Sequence, residues 1–109
     1  MRAKNLGDTI SELGGQTVYV KNGEARLANG ALAGSVLKLN DAVKNIINNC
    51  GVDFCVAVDY ASANPAKNLG VYDRMGSIAV GKDASFAIVD KNTFEVLYTI
   101  RQGEIIYKK

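Results

Sequence analysis

The segment GGQTVYVKNGEARLANG has the pattern of a β-hairpin. Val18 and Val20 alternate with polar neighbours, as they do in a strand that buries one face. Asn22-Gly23 is a strong signal for a two-residue turn between two strands. A second Asn-Gly pair, at 29–30, ends the returning strand and leads into ALAGS, which is predicted to be a compact loop.

The following segment has the spacing of an amphipathic helix. Its apolar positions recur three and four residues apart, so they form one stripe that is predicted to be buried: Val43, Ile46, Ile47 and Cys50. Asn40 is predicted to be the N-cap, and Asp41 suits the positive end of the helix dipole. Gly51 is predicted to end this helix.

Two shorter helices are predicted next. Asp53 can cap the first of them, whose apolar positions repeat the helical spacing at Phe54, Ala57, Val58 and Ala61. In the second, Asn64 is predicted to be the N-cap and Pro65 the first helical residue, where its missing N–H costs nothing. Gly70 is predicted to end it.

Beyond Gly70 the pattern changes to turns and strands. Lys82 and Asp83 are predicted to lie in a solvated turn before the first strand. Three strands are predicted, at 84–90, 94–100 and 104–108. In the second, alternation predicts that Phe94, Val96, Tyr98 and Ile100 share one face.

The length of 109 residues is that of one domain. Thirteen Lys and Arg residues and eleven Asp and Glu residues are scattered along the chain, which argues against the basic patch of a nucleic-acid-binding protein. The sequence contains no apolar run as long as a membrane span or the core of a signal peptide. A cytoplasmic protein with neither a nucleic-acid nor a membrane partner is therefore expected.

The chain has no histidine, which removes Ser-His-Asp and Cys-His catalysis. Cys50 and Cys55 are its only cysteines and are predicted to be buried, reduced core thiols, with a disulfide or a metal or redox role as the alternatives. Neither thiol has a base or a cation nearby in the sequence that would activate it as a nucleophile.

The segment YDRMGSIAVGKDASFAIVD, at 72–90, resembles the C-terminal signature of the metal-dependent amidohydrolases. Together with LAGSVLKLNDAVKNI at 32–46 and ASANPAKNLG at 61–70, it resembles the N-acetylglucosamine-6-phosphate deacetylase family. The resemblance extends over essentially the whole chain.

The resemblance implies an α+β fragment of a larger fold. Residues 1–70 would be the last part of a (β/α)8 barrel, consisting of a β-hairpin and helices. Residues 71–109 would supply C-terminal strands of a small β-sandwich. The chain would correspond to about the last third of a family member.

The family reaction hydrolyses the acetamide of N-acetylglucosamine 6-phosphate, giving glucosamine 6-phosphate and acetate. The resemblance implies that the intact enzyme binds a divalent metal. It also implies that the metal ligands and the catalytic Asp precede the matched region, so this chain is expected to contain no catalytic residue, metal ligand or cofactor and to be inactive alone.

By the same resemblance, the backbone of Leu32, Ala33 and Gly34 would lie against the bound sugar. Glycine would allow close approach because it has no Cβ. The alternative is that these residues form an ordinary turn with no ligand.

A different class of function stays open, namely a free-standing, non-catalytic α+β module that oligomerises or binds a small anion. Either class predicts a homo-oligomer, because strands without partners promote association. A sugar phosphate is expected as a ligand only in the intact enzyme.

Overall fold

The structure is a computed structural model that describes residues 7–109. The chain divides into two compact units, Met1–Leu39 and Asn40–Lys109. Residues 1–6, where the predicted barrel part begins, lie outside the described residues. The assignment of residues 1–70 to a barrel and of residues 71–109 to a β-sandwich concerns a larger fold than this chain, and it stays a prediction.

The described part of the first unit is an antiparallel sheet. Its strands, in spatial as well as chain order, are β1 (Thr9–Leu13), β2 (Gln16–Lys21), β3 (Glu24–Leu27) and β4 (Leu32–Gly34). The predicted hairpin is confirmed as β2 and β3, with Val18 and Val20 buried. Positive φ angles of 52° at Asn22 and 75° at Gly23 form the tight turn, which matches the twist of the two strands.

Two strands of this sheet were not predicted from the sequence. β1 joins β2 through a second tight turn, in which Gly14 and Gly15 have φ of 57° and 78°. The sequence of β1, TISEL, lacks the apolar alternation that predicts a strand, because the polar Ser11 lies on the core side. The prediction of a loop at ALAGS is wrong at residues 32–34, which form β4 by pairing with β3.

The second unit begins with three helices in its described residues: α1 (Leu39–Cys50), α2 (Phe54–Ala61) and α3 (Ala63–Asn68). The predicted N-cap at Asn40 is wrong, because Asn40 lies inside α1 and its Nδ2 donates to the Phe94 carbonyl oxygen at 3.0 Å. The predicted stripe of α1 is half-buried at Val43, Ile46 and Ile47 and exposed at Cys50. Gly51 ends the helix with φ of 66°, as predicted.

Asp53 caps α2, as predicted. Its Oδ1 accepts from the backbone N–H groups of Cys55 at 2.8 Å and Val56 at 3.4 Å, and it thereby satisfies donors that have no partner within the helix. The predicted cap of α3 is displaced by two residues: Ser62, not Asn64, precedes the helix, and Pro65 is its third residue. Pro65 still lies in the first turn, where N–H groups have no intrahelical acceptor.

The predicted C-terminal strands are confirmed as β5 (Phe86–Val89), β6 (Val96–Arg101) and β7 (Glu104–Lys108). They form an antiparallel sheet in the order β5-β6-β7. Phe94 is an exception, because it lies before β6 with φ of 61° and is buried. Its ring packs against Phe54 of α2, with 6.2 Å between the centroids, so it does not continue the face of Val96.

The turn between β5 and β6 is organised by the Asp90 carboxylate. Asp90 Oδ1 accepts from the backbone N–H groups of Thr93 at 2.7 Å and Asn92 at 2.9 Å, and from the Thr93 hydroxyl at 3.0 Å. These hydrogen bonds, of which the one from the Thr93 N–H is strongest, lower the pKa of Asp90.

The Asp90 turn predicts a loss of stability in acid. Because the folded-state pKa lies below the unfolded value of about 3.9, the contribution is present above that pH and is lost as the pH falls through the folded pKa. We expect Asp90→Asn to give a smaller decrease in the urea midpoint between about pH 5 and pH 3, since Asn has no carboxylate to protonate. The exposed Asp73→Asn is the control, and equal pH profiles for Asp90→Asn and the unaltered chain would contradict the assignment.

Within residues 7–109, helices are too short and insufficiently apolar to span a membrane.

Candidate functional site

Leu32, Ala33 and Gly34, the residues expected to contact the sugar, differ in their exposure and in their position relative to the nearby cavity. β4 pairs irregularly with β3: Leu32 lies opposite Arg26 and Gly34 opposite Ala25, so Ala33 is the extra residue of a β-bulge. Leu32 is 69% exposed. Ala33 and Gly34 both border a cavity that Leu32 does not line.

This cavity lies within the first unit and has a volume of about 170 Å³. It opens on the face of the sheet that carries the small buried core, Val18, Val20 and Ala25. Its lining residues come from all four described strands and the residue after β4: Ser11, Leu13, Val18, Ala25, Ala33, Gly34 and Ser35. The lining is apolar apart from two serine hydroxyls and the backbone.

The two hydroxyls differ in their hydrogen bonds. Ser35 Oγ accepts from the Leu37 N–H at 3.0 Å and so supports the chain that leaves β4. Ser11 Oγ is buried and has no hydrogen-bond partner among the described residues. A buried polar group without a partner costs about 1–3 kcal/mol.

Gly34 is not required by the conformation of the chain. It has no left-handed φ, in contrast to Gly30 in the preceding turn, whose φ is 85°. A Cβ built on Gly34 meets no described atom within 4 Å. Glycine here therefore keeps the cavity open and relieves neither strain nor crowding among residues 7–109.

The turn before β4 is held by a set of polar contacts. The Ala31 N–H donates to Asn29 Oδ1 at 3.0 Å, and Arg26 Nη1 donates to the Gly30 carbonyl at 2.7 Å. Arg26 Nε also donates to Glu24 Oε2 at 2.8 Å, which lowers the pKa of Glu24 and raises that of Arg26. Arg26 lies beside Leu32 in the register, on the side of the sheet away from the cavity.

The segment GSIAVGKD packs against α3. Gly76 has φ of 91°, and a Cβ built on it would lie 2.5 Å from Ala66 Cβ and 3.2 Å from the Ser62 carbonyl oxygen. Lys82 and Asp83 lie at a turn before β5, as predicted, but both are half-buried and not fully solvated. Lys82 Nζ lies 3.6 Å from the centre of the Tyr72 ring.

Asp83 is fixed at the end of the same segment. Its Oδ2 accepts from Arg74 Nη1 at 2.7 Å, and its backbone N–H donates to the Arg74 carbonyl at 2.8 Å. These contacts close the segment on itself and give it a structural role.

The expected burial of the cysteines is also wrong. Cys50 and Cys55 are exposed and are free thiols within the described chain. Cys50 is the last residue of α1, and Cys55 lies in the first turn of α2. The helical spacing predicted burial, but no described residue covers these two side chains.

The sequence pattern of the Amidohydrolase family matches residues 20–106. The chain belongs to this family. It is also similar to the N-acetylglucosamine-6-phosphate deacetylase of Bacillus subtilis (strain 168), with 42% identity over 107 residues that make up 98% of the chain and 27% of the relative. The N-acetylgalactosamine-6-phosphate deacetylase of Escherichia coli O157:H7 is 39% identical over 90 residues, 83% of the chain and 24% of the relative.

A solved structure is also similar to this chain in fold. The crystal structure of N-acetylglucosamine-6-phosphate deacetylase from Pasteurella multocida matches 94% of this chain with a TM-score of 0.83 and 33% identity. The match covers 27% of that structure's chain. The chain therefore spans about a quarter of the length of the deacetylases that it resembles.

The described residues of this amidohydrolase chain do not fit a divalent metal centre. The sequence has no histidine, and within residues 7–109 no group of three or more Cys, Asp and Glu side chains is close enough to hold an ion. No chemical step through a metal is therefore assigned to these residues.

Ser11 is the site residue that sequence reasoning missed. A serine in a short polar segment is typical of an exposed position, and only the pairing of β1 with β2 places its hydroxyl beside Val18. The alternation of Thr9, Ser11 and Leu13 was the available signal, but it is weak because only one of the three residues is apolar.

Proposed function

We propose that this chain is the C-terminal portion of an N-acetylglucosamine-6-phosphate deacetylase. In the intact enzyme, the acetamide of the sugar phosphate is hydrolysed to glucosamine 6-phosphate and acetate. The observation that carries the proposal is the match to the Pasteurella multocida deacetylase, which covers 94% of the chain with a TM-score of 0.83 and 33% identity.

The chemistry belongs to residues outside this chain. A divalent metal in such an enzyme would polarise the amide carbonyl and activate water. The described residues contain no group of three or more Cys, Asp and Glu side chains that could hold it, so their proposed part in the reaction is to shape the substrate site and to stabilise the fold.

Leu32, Ala33 and Gly34 are proposed to contact the substrate through their backbone. β4 is at the edge of the sheet, and within the described residues no further strand pairs with its outer side. Its outward N–H and C=O groups are thus available to sugar hydroxyls. The open space at Gly34 supports the same proposal, because an approaching ligand would meet no side chain there.

The larger fold follows from the same proposal. Residues 1–70 would complete a (β/α)8 barrel and residues 71–109 a β-sandwich. The exposed apolar side chains of β7, Ile105 at 63% and Ile106 at 59%, support a role in which further chain packs on this sheet. A cytoplasmic location is proposed because the substrate is a sugar phosphate.

The exposed edge position of β7 favours a second function, in which the chain is a module that associates with copies of itself. β7 is an edge strand, and all five of its residues are exposed. In an antiparallel pair of two copies, Glu104 would face Lys108 of the second copy, so the strand is complementary to itself in charge.

The enzymatic proposal predicts that this chain can replace its counterpart in a relative. We expect the Bacillus subtilis deacetylase, with its matching 107 residues exchanged for those of this chain, to release acetate from N-acetylglucosamine 6-phosphate. Its activity should lie within about tenfold of the parent enzyme, which corresponds to a loss of no more than about 1.4 kcal/mol of transition-state stabilisation. The 109-residue chain alone is expected to give no acetate above the blank.

The same exchange carrying Gly76→Val is the control for folding, because that change disrupts the packing of α3. A well-folded exchange protein with no acetate release would refute the proposed function.

A further inference from the structure

The sequence contains two Asn-Gly pairs, and both lie in exposed turns of the four-stranded sheet. Asn22-Gly23 joins β2 to β3, and Asn29-Gly30 lies between β3 and β4. An asparagine before a glycine can react with its own backbone, because the glycine nitrogen can close a five-membered ring with the side-chain carbonyl carbon. Glycine obstructs this ring least, since it has no Cβ beside the nitrogen. The two pairs are chemically identical, so the fold decides how they differ.

The groups that would react in the first pair are held by few contacts. Asn22 and Gly23 are exposed, and within residues 7–109 the side-chain amide of Asn22 makes no hydrogen bond. The Gly23 N–H also has no acceptor among the described residues. The backbone N–H of Asn22 donates to Asp8 Oδ2 at 3.4 Å, which leaves the side chain unrestrained. A Cβ built on Gly23 would meet no described atom within 4 Å, so the space beside it is open.

The same groups of the second pair are fixed by hydrogen bonds. Asn29 Oδ1 accepts from the Ala31 N–H at 3.0 Å. The Gly30 N–H donates to the Leu27 carbonyl oxygen at 2.9 Å, and the Gly30 carbonyl oxygen accepts from Arg26 Nη1 at 2.7 Å. The Gly30 nitrogen must therefore give up its acceptor, and the Asn29 side chain its donor, before the ring can close.

We propose that Asn22 is a site of spontaneous deamidation and that the fold protects Asn29 from the same reaction. The Gly23 nitrogen attacks Asn22 Cγ, the new N–Cγ bond closes a succinimide, and the Cγ–Nδ2 bond breaks. Ammonia leaves with the proton of the former N–H. Water then opens the ring, at Cγ to give aspartate or at the backbone carbonyl carbon to give isoaspartate. The reaction consumes only water and is independent of the deacetylase assignment.

The modification would weaken the β2–β3 hairpin. Isoaspartate adds a methylene group to the backbone of a two-residue turn, whose type and length fix the register of the strands. In this register Lys21 pairs with Glu24, and Val20 pairs with Ala25 in the small buried core. The new carboxylate would also lie close to Asp8 and Glu24, where like charges repel. Deamidation is therefore expected to loosen the sheet that carries the candidate site.

The test is incubation of the folded 109-residue chain in mildly alkaline buffer, followed by mass spectrometry of tryptic peptides. Trypsin cuts after Lys21 and Arg26, so the two asparagines fall on separate peptides. We expect Asn22 to react at least about tenfold faster than Asn29, about 1.4 kcal/mol in activation free energy, because Asn29 must first lose its hydrogen bonds.

The unfolded chain is the control for the role of the fold. In concentrated urea the hydrogen bonds around Asn29 are absent, so both asparagines should react at similar rates, while circular dichroism verifies that the other sample is folded. Equal rates in the folded chain, a faster reaction at Asn29, or the same ratio of rates in urea would each overturn the proposal.

Two substitutions test the consequence for stability. Asn22→Gly has no side-chain amide, and a Gly-Gly pair also suits this turn, so the variant should fold, show no mass gain in the 22–26 peptide and keep its melting temperature during incubation. Asn22→Asp carries the carboxylate without the longer backbone, and it should melt above the incubated, unaltered chain. An equal fall of the melting temperature in incubated Asn22→Gly would show that this site does not loosen the sheet.

Discussion

Gly76→Ala is expected to destabilise the chain by about 2–5 kcal/mol. The added Cβ would lie 2.5 Å from Ala66 Cβ, so α3 or the segment must move, and overpacking of this kind costs about 1–3 kcal/mol. The φ of 91° adds strain of about 1–2 kcal/mol for a residue with a Cβ. Since small domains have a net stability of about 5–15 kcal/mol, urea unfolding followed by circular dichroism will show the effect.

Gly81→Ala separates the two causes. Gly81 has a similar φ of 88°, but a Cβ built there meets no described atom within 4 Å. Gly81→Ala should therefore lower the free energy of unfolding only through backbone strain, by about 1–2 kcal/mol. Ala66→Gly should rescue part of the Gly76→Ala loss in the double variant, because it removes the atom that the new Cβ would strike. Equal losses for Gly76→Ala and Gly81→Ala would show that the close packing on α3 is not the cause.

Ile106→Lys is expected to convert a self-associating chain into a monomer. In an antiparallel pair of β7 strands, Ile106 of one copy lies opposite Ile106 of the other, so the substitution places two like charges together and removes an apolar contact. Light scattering after size exclusion at micromolar concentration should show the mass fall from twice 11.6 kDa to 11.6 kDa. The dimer dissociation constant should rise at least about tenfold, a change of about 1.4 kcal/mol.

Val80→Lys is the matched control for the loss of exposed apolar surface, since Val80 is fully exposed but lies in a turn. The register has its own test: Glu104→Lys should weaken the dimer, and Glu104→Lys with Lys108→Glu should restore it. A monomeric chain under all these conditions would show that β7 does not pair with itself.

Local signals predicted much of the fold. The Asn22-Gly23 turn, the Asp53 cap and the helix ends at Gly51 and Gly70 were all predicted from the sequence, and each depends on residues within one turn. Gly51 and Gly70 adopt positive φ where L side chains are strained, so their effect needs no distant partner. The same holds for the three C-terminal strands, whose apolar runs are bounded by turn residues.

The family was also predictable from a short segment of the sequence. The segment from Tyr72 to Asp90 is specific enough to indicate an amidohydrolase, and the match at 20–106 confirms the family. The structural reason for one of its residues emerged only from the fold, because the need for Gly76 depends on Ala66, ten positions earlier.

By itself, the sequence determined the turns, the helix ends, the C-terminal strands and the family. Only the tertiary structure decided the features that depend on a partner far along the chain: β4 exists because β3 pairs with it, Asn40 bonds to the carbonyl of Phe94, and the cysteines are exposed. The candidate site divides in the same way. Gly34 was visible as a residue that allows close approach, whereas Ser11 acquired meaning only when β1, β2 and β3 placed its hydroxyl in an apolar cavity without a described partner. A hydroxyl group becomes costly only when its surroundings exclude water, and those surroundings are a property of the folded sheet.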